Sequence, residues 1–75
     1  MAERFHLVDA TRDARVSTVD LGGGAYRYET MVFGGMLDDY CMRYKTEREA
    51  RRGHRETYHR VRDIEEGFYT TETRN

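Results

Sequence analysis

Apolar and polar residues alternate along the first half of the chain and then change period. Over residues 16–21, Val-Ser-Thr-Val-Asp-Leu, β-branched side chains alternate roughly with polar ones, as a half-buried strand requires. Over residues 25–33, Ala-Tyr-Arg-Tyr-Glu-Thr-Met-Val-Phe, aromatic and β-branched residues give the strongest strand signal in the chain. Gly22, Gly23 and Gly24 lie between these runs and supply the positive φ that a tight hairpin needs. Gly34-Gly35 and Asp38-Asp39 then read as turn chemistry leading to a short third strand over residues 40–44, Tyr-Cys-Met-Arg-Tyr. Phe5-His6-Leu7-Val8 predicts a fourth strand or an arm over residues 1–15, and residues 68–75 either pair as an edge strand or form a loose tail.

The period becomes helical after Thr46. Thr46-Glu47-Arg48-Glu49 reads as a capping box, in which the Thr46 hydroxyl accepts from the Glu49 amide and the Glu49 carboxylate reaches back. Ala50, Gly53, Thr57, Val61 and Ile64 then recur at helical spacing, with His54 at the border of the stripe. A glycine inside a helix costs about 1 kcal/mol relative to alanine. Gly53 therefore predicts close approach of helix to sheet. Gly67 marks the expected end. The expectation is one α+β domain over residues 1–75: an antiparallel sheet of three to four strands with a single C-terminal helix packed on one face.

The five glycines of residues 22–24 and 34–35 do not read as a phosphate cradle. Such a loop leads from a strand into a helix N-terminus, and here the first cluster leads into another strand. No Gly-Lys-Ser/Thr sequence follows either. His54 and His59 are five apart and do not share a helix face. Cys41 with one histidine falls short of the three or four ligands of a zinc site. Cys41 reads instead as a small buried hydrophobe, and Asp38-Asp39 as a solvated turn. No metal, cofactor, nucleophile–base pair or small-molecule substrate is expected, and the protein is expected not to be an enzyme.

Composition changes the picture in one respect. The 75-residue chain is 37% hydrophobic and 36% charged. A domain this small buries only about 60% of the surface its unfolded chain exposes, so it gains from a partner or a copy of itself. A single cysteine allows no intrachain disulfide and suits a reducing compartment. No apolar run approaches the ~20 residues of a membrane span, and no export signal is recognisable. The expectation is a cytoplasmic protein with no membrane association.

Net charge is −1, but it is unevenly distributed. Residues 41–64 carry eight basic residues against Glu47, Glu49, Glu56 and Asp63. Arg48, Arg52, Arg55, His59 and Arg62 fall at spacings of four, three, four and three, a continuous stripe opposite the apolar one. It suits phosphates or an acidic partner. The helix pairs Glu47–Arg51, Glu49–Arg52 and Glu56–Arg60 favour a solvated, partly paired face over an acidic partner or nucleic acid.

On the central strand Tyr26, Tyr28, Thr30 and Val32 point one way, and Ala25, Arg27, Glu29, Met31 and Phe33 the other. One helix covers one face. The tyrosine-bearing face is the expected docking surface, for a host or phage protein or for self-association, since tyrosine suits surfaces buried only on association. Phe5, Leu7 and Val8 folding back over it is the competing arrangement. Stacking of nucleic-acid bases on Tyr26 and Tyr28 is a further use of the same residues.

The order Tyr28-Glu29-Thr30-Met31-Val32-Phe33-Gly34-Gly35, Arg43-Tyr44-Lys45-Thr46, Glu49-Ala50 and Gly53-His54 resembles a group of short uncharacterised accessory proteins of actinobacterial phages and their hosts. The resemblance covers roughly residues 26–62. It implies a phage accessory protein acting in a bacterial cytoplasm, and it carries no catalytic residue across.

Overall fold

Successive strands of the chain are neighbours in the sheet: β1 (His6–Ala10), β2 (Arg15–Asp20), β3 (Tyr28–Phe33) and β4 (Cys41–Tyr44) form an antiparallel meander in the order β1-β2-β3-β4, followed by α1 (Glu47–Glu65). The computed structural model describes residues 5–67. The α+β architecture expected from the periodicities is therefore present, with the N-terminal run as a fourth strand. The reading of residues 68–75 as edge strand or tail lies outside the described residues.

Register decides which side chains share a face. Val16 pairs with Val32, Thr18 with Thr30 and Asp20 with Tyr28. All six are buried, and Val16, Thr18, Thr30 and Val32 are fully so. α1 lies across this face and contributes Ala50, Gly53, His54, Thr57 and Val61. Burying a valine stabilises by about 1.5–3 kcal/mol, so the cluster of Ala14, Val16, Val32 and Val61 is the apolar anchor. Leu37, Tyr40 and Tyr58 pack against it. The middle of the same interface is polar, built from threonines and His54.

The helix begins as its sequence dictates. Thr46 accepts from the Glu49 amide at 3.1 Å, and the Glu49 carboxylate accepts from the Thr46 amide at 3.3 Å. It ends at Gly67, whose φ of 83° needs a glycine. Gly53 faces Tyr44 so closely that a Cβ there would clash with the hydroxyl end of the phenol ring. The close approach read from the sequence is thus a glycine–tyrosine contact. Near its C-terminus, Glu65 accepts from the Thr11 hydroxyl at 2.5 Å and from the Asp13 and Arg12 amides at 3.1 and 3.2 Å. This carboxylate ties the helix to the β1–β2 turn.

Two expectations about β3 are corrected. The strand starts at Tyr28, so Tyr26 belongs to the preceding loop and does not share a strand face with Tyr28. Asp20 holds that loop, accepting from the Gly22 amide at 2.7 Å and from Arg27 Nε and Nη2 at 2.7 and 2.8 Å. Tyr28, Thr30 and Val32, expected on the uncovered face, lie under α1 instead. The physical reason is that the helix stripe carries small and hydroxyl-bearing residues, which accept threonine and valine from the sheet and bond with them.

Candidate interaction surfaces

The buried polar interface is one connected network. Thr18 Oγ1 lies 2.5 Å from Thr30 Oγ1 and 2.6 Å from His54 Nδ1, and His54 Nε2 lies 2.8 Å from an Asp9 carboxylate oxygen. The Tyr44 hydroxyl lies beside Thr30 and Thr57, and burial pushes its pKa up. The order Asp9–His54–Thr18 matches the hydrogen-bond order of a nucleophile relay. Thr18 is 0% exposed, however, and its hydroxyl is already shared between Thr30 and His54. A substrate has no path to it. The network satisfies buried polar groups that would each cost about 1–3 kcal/mol unpaired. His54, at the border of the helical stripe, is thereby bonded to the sheet through Thr18.

The opposite face of the sheet is uncovered among the described residues. Register brings together three rows across it: Ala10, Arg15 and Phe33; Val8, Ser17, Met31 and Cys41; His6, Val19, Glu29 and Arg43. Val8 is 47% and Phe33 42% exposed. Arg15 stacks over the Phe33 ring, 5.2 Å from its centroid. At the other end, Glu29 accepts from Arg43 Nε at 3.0 Å and from the Cys41 thiol at 3.2 Å. The Cys41 thiol first, and then the Arg43 guanidinium, hold the Glu29 carboxyl below the ordinary glutamate value. Burial and the same carboxylate push the Cys41 thiol up. Cys41 is exposed, which corrects its reading as a buried hydrophobe. Leu7 and Val8 lie in β1 and do not fold back over the sheet, whereas Phe5 packs edge-on against Tyr28 on the helix side, at 5.8 Å between centroids.

The arginine stripe is exposed along its length: Arg48, Arg52, Arg55, His59 and Arg62 all face solvent. Glu47–Arg51 forms at 2.9 Å, as the spacing predicts. The Glu49–Arg52 and Glu56–Arg60 pairs do not form. Glu49 is committed to the capping box. Arg62 pairs with Glu66 at 3.0 Å and covers Tyr58. Among the described residues, Arg48, Arg52, Arg55 and Arg60 have no carboxylate partner.

Tyr26 is 52% exposed and lies beside this stripe, in an open concavity of about 340 Å³ shared with Arg43, Tyr44, Lys45, Arg52 and Glu56. Lys45 Nζ lies 5.5 Å from its ring centroid. Among the described residues no three His, Cys, Asp or Glu side chains converge on a metal position, and no helix is long and apolar enough to cross a membrane.

No family model, curated protein or solved structure matches the chain. The uncovered-face residues Val8, Val19, Met31 and Phe33 were not singled out by sequence reasoning as docking residues. The signal was present in the helix: a stripe of Ala50, Gly53, His54 and Thr57 selects the threonine-bearing side of β2 and β3.

Proposed function

We propose that this is a non-enzymatic interaction protein that docks on another protein through the sheet face opposite α1. The observation that carries the reading is the apolar set Val8, Val19, Met31 and Phe33 on a sheet face that nothing covers among the described residues. Such a face, rimmed here by Arg15, His6, Glu29 and Arg43, has the apolar centre and polar rim of a protein interface. The resemblance to phage accessory proteins supports a bacterial cytoplasm as the setting and a host or phage protein as the partner.

A second reading rests on Arg48, Arg52 and Arg55, which are exposed and have no acid partner among the described residues. It makes the outer face of α1 a nucleic-acid contact. Affinity would then fall with salt at a log–log slope of about −0.9 per phosphate contact on duplex DNA.

The test is capture from an actinobacterial lysate with the tagged protein, with and without nuclease. The wild type is compared with Met31→Ser/Phe33→Ser and with Arg48→Ser/Arg52→Ser/Arg55→Ser. Both variants leave the buried interface intact, which circular dichroism checks. A nuclease-resistant protein partner lost only with the Met31/Phe33 change supports face docking. Capture that survives that change overturns it. Nuclease-sensitive capture lost with the arginine change supports the second reading.

A further inference from the structure

The two edges of the sheet are not equivalent. In β1 the Phe5 carbonyl accepts from the Asp20 amide at 3.1 Å, and the Thr11 amide donates to the Ala14 carbonyl at 2.8 Å. With the unbroken register from His6–Val19 to Ala10–Arg15, Phe5, Leu7, Asp9 and Thr11 turn their backbone groups toward β2. His6, Val8 and Ala10 turn theirs away from the sheet. All three are exposed, and no described residue pairs with that edge.

Natural edge strands are blunted by lysine, proline, bulges or inward charges. β4 follows that rule, with Arg43 within it and Lys45 directly after it. β1 carries one charge, Asp9, which faces the helix side and is bonded to His54 within the chain. It has no lysine, its register with β2 has no bulge, the chain contains no proline, and Val8 at its middle is 47% exposed.

The three outward residues are centred on Val8. That spacing is self-complementary: a second β1, run antiparallel about a two-fold axis at Val8, sets Val8 against Val8, and His6 against Ala10. Each outward residue then exchanges its N–H and C=O with its opposite number. On the uncovered face the two Val8 side chains become cross-strand neighbours. On the helix side, Leu7 stands opposite Asp9 of the second copy. That residue borders a groove of about 320 Å³ lined by Leu7, Asp9, Arg51, His54, Arg55 and Tyr58, in which the chain's own Asp9 is already bonded to His54. Arg55, without an acid partner among the described residues, lines the same groove.

We propose that β1 is the dimerisation edge of this protein, pairing with β1 of a second copy to double the four-stranded sheet. The doubled sheet is within the usual size range. It places both helices on one side and joins the two uncovered faces into one continuous surface. The edge uses the outward backbone of His6, Val8 and Ala10; the docking face shares His6 and Val8 with it but not Val19, Met31 or Phe33, so Met31→Ser/Phe33→Ser tests the face apart from the edge.

Amide hydrogen exchange on the full chain tests this across a dilution series, with sedimentation velocity alongside. The Val8 amide is expected to gain at least about tenfold protection at high concentration and to lose it on dilution. The Leu7 and Asp9 amides, bonded within the chain, are expected not to change. Val8→Pro removes an outward N–H without removing a ladder bond to β2. It is expected to give a monomer whose Thr18 and Val32 amides stay protected. Val8→Lys, which keeps strand geometry and sets two ammonium groups side by side, is expected to do the same. A Val8 amide that exchanges freely at every concentration overturns the proposal. So does protection of the Val8 amide in a species that sediments as a monomer, which would assign the edge to other residues of the same chain. A dimer that survives both Val8 changes and is lost with Met31→Ser/Phe33→Ser overturns edge pairing in favour of the face.

Discussion

Gly53 of the helix and Tyr44 of β4 share one packing position, so that the phenol ring fills the space a side chain at 53 would occupy. Alanine is the better helix former by about 1 kcal/mol, yet Gly53→Ala is expected to destabilise by about 1–3 kcal/mol because overpacking outweighs propensity. In a Tyr44→Ala background the same substitution is expected to become neutral or stabilising. A double-mutant cycle by urea denaturation measures the coupling. Additive effects would remove the contact from the account.

Thr18 bridges Thr30 and His54 at the centre of the buried interface. Thr18→Val keeps the shape and deletes the hydroxyl. It leaves His54 Nδ1 without a protein partner and is expected to cost about 1–3 kcal/mol. Thr18→Ser, which keeps the hydroxyl, is expected to cost less. If valine proves as stable as threonine, the network contributes nothing to the fold.

Glu65 is held ionised by the Thr11 hydroxyl, then by the Asp13 and Arg12 amides, and its pKa is lowered. A lowered carboxyl favours the folded state when ionised. Its contribution is present above the ordinary glutamate value, about 4.3, and is lost as pH falls through the lowered value. Glu65→Gln is therefore expected to lower Tm at neutral pH and to make the acid limb of the stability curve shallower. The lowered Glu29 leaves part of that limb in place in the variant. A wild-type-minus-variant difference that does not shrink toward acid pH would contradict this assignment.

Arg48, Arg52 and Arg55 sit three and four residues apart on the exposed side of α1. Like charges at these spacings repel weakly. Replacing all three with glutamine is expected to change stability by no more than about 0.5 kcal/mol per site. Thermal melts at low salt check this. A larger loss would give these side chains a packing role that leaves no free face for a polyanion.

Where the sequence and the structure agree, the information is local. The capping box at Thr46 and Glu49, the glycine hairpin before β3 and the stripe from Ala50 to Val61 each depend on neighbours a few residues apart. The face assignment of β3 failed for the opposite reason. Alternation separates Tyr28, Thr30 and Val32 from Glu29, Met31 and Phe33 but does not say which set meets the helix. Both sets are apolar toward the Val32–Phe33 end. Thr18, Thr30 and His54 decide it, because a bond between residues 36 apart in the chain has no sequence period. The same holds for Cys41, whose position opposite Met31 on the uncovered face follows from register alone.

The amino-acid sequence by itself determined the elements, their order, the helix cap and the rule that one helix covers one face, since each follows from local sterics and periodicity. Only the tertiary structure decided which face was covered and, among the described residues, which arginines lacked acid partners and which edge was unpaired. Those are properties of distance and register between segments remote in the chain, and they are set by how Gly53, His54 and Thr57 fit against Tyr44, Thr18 and Thr30.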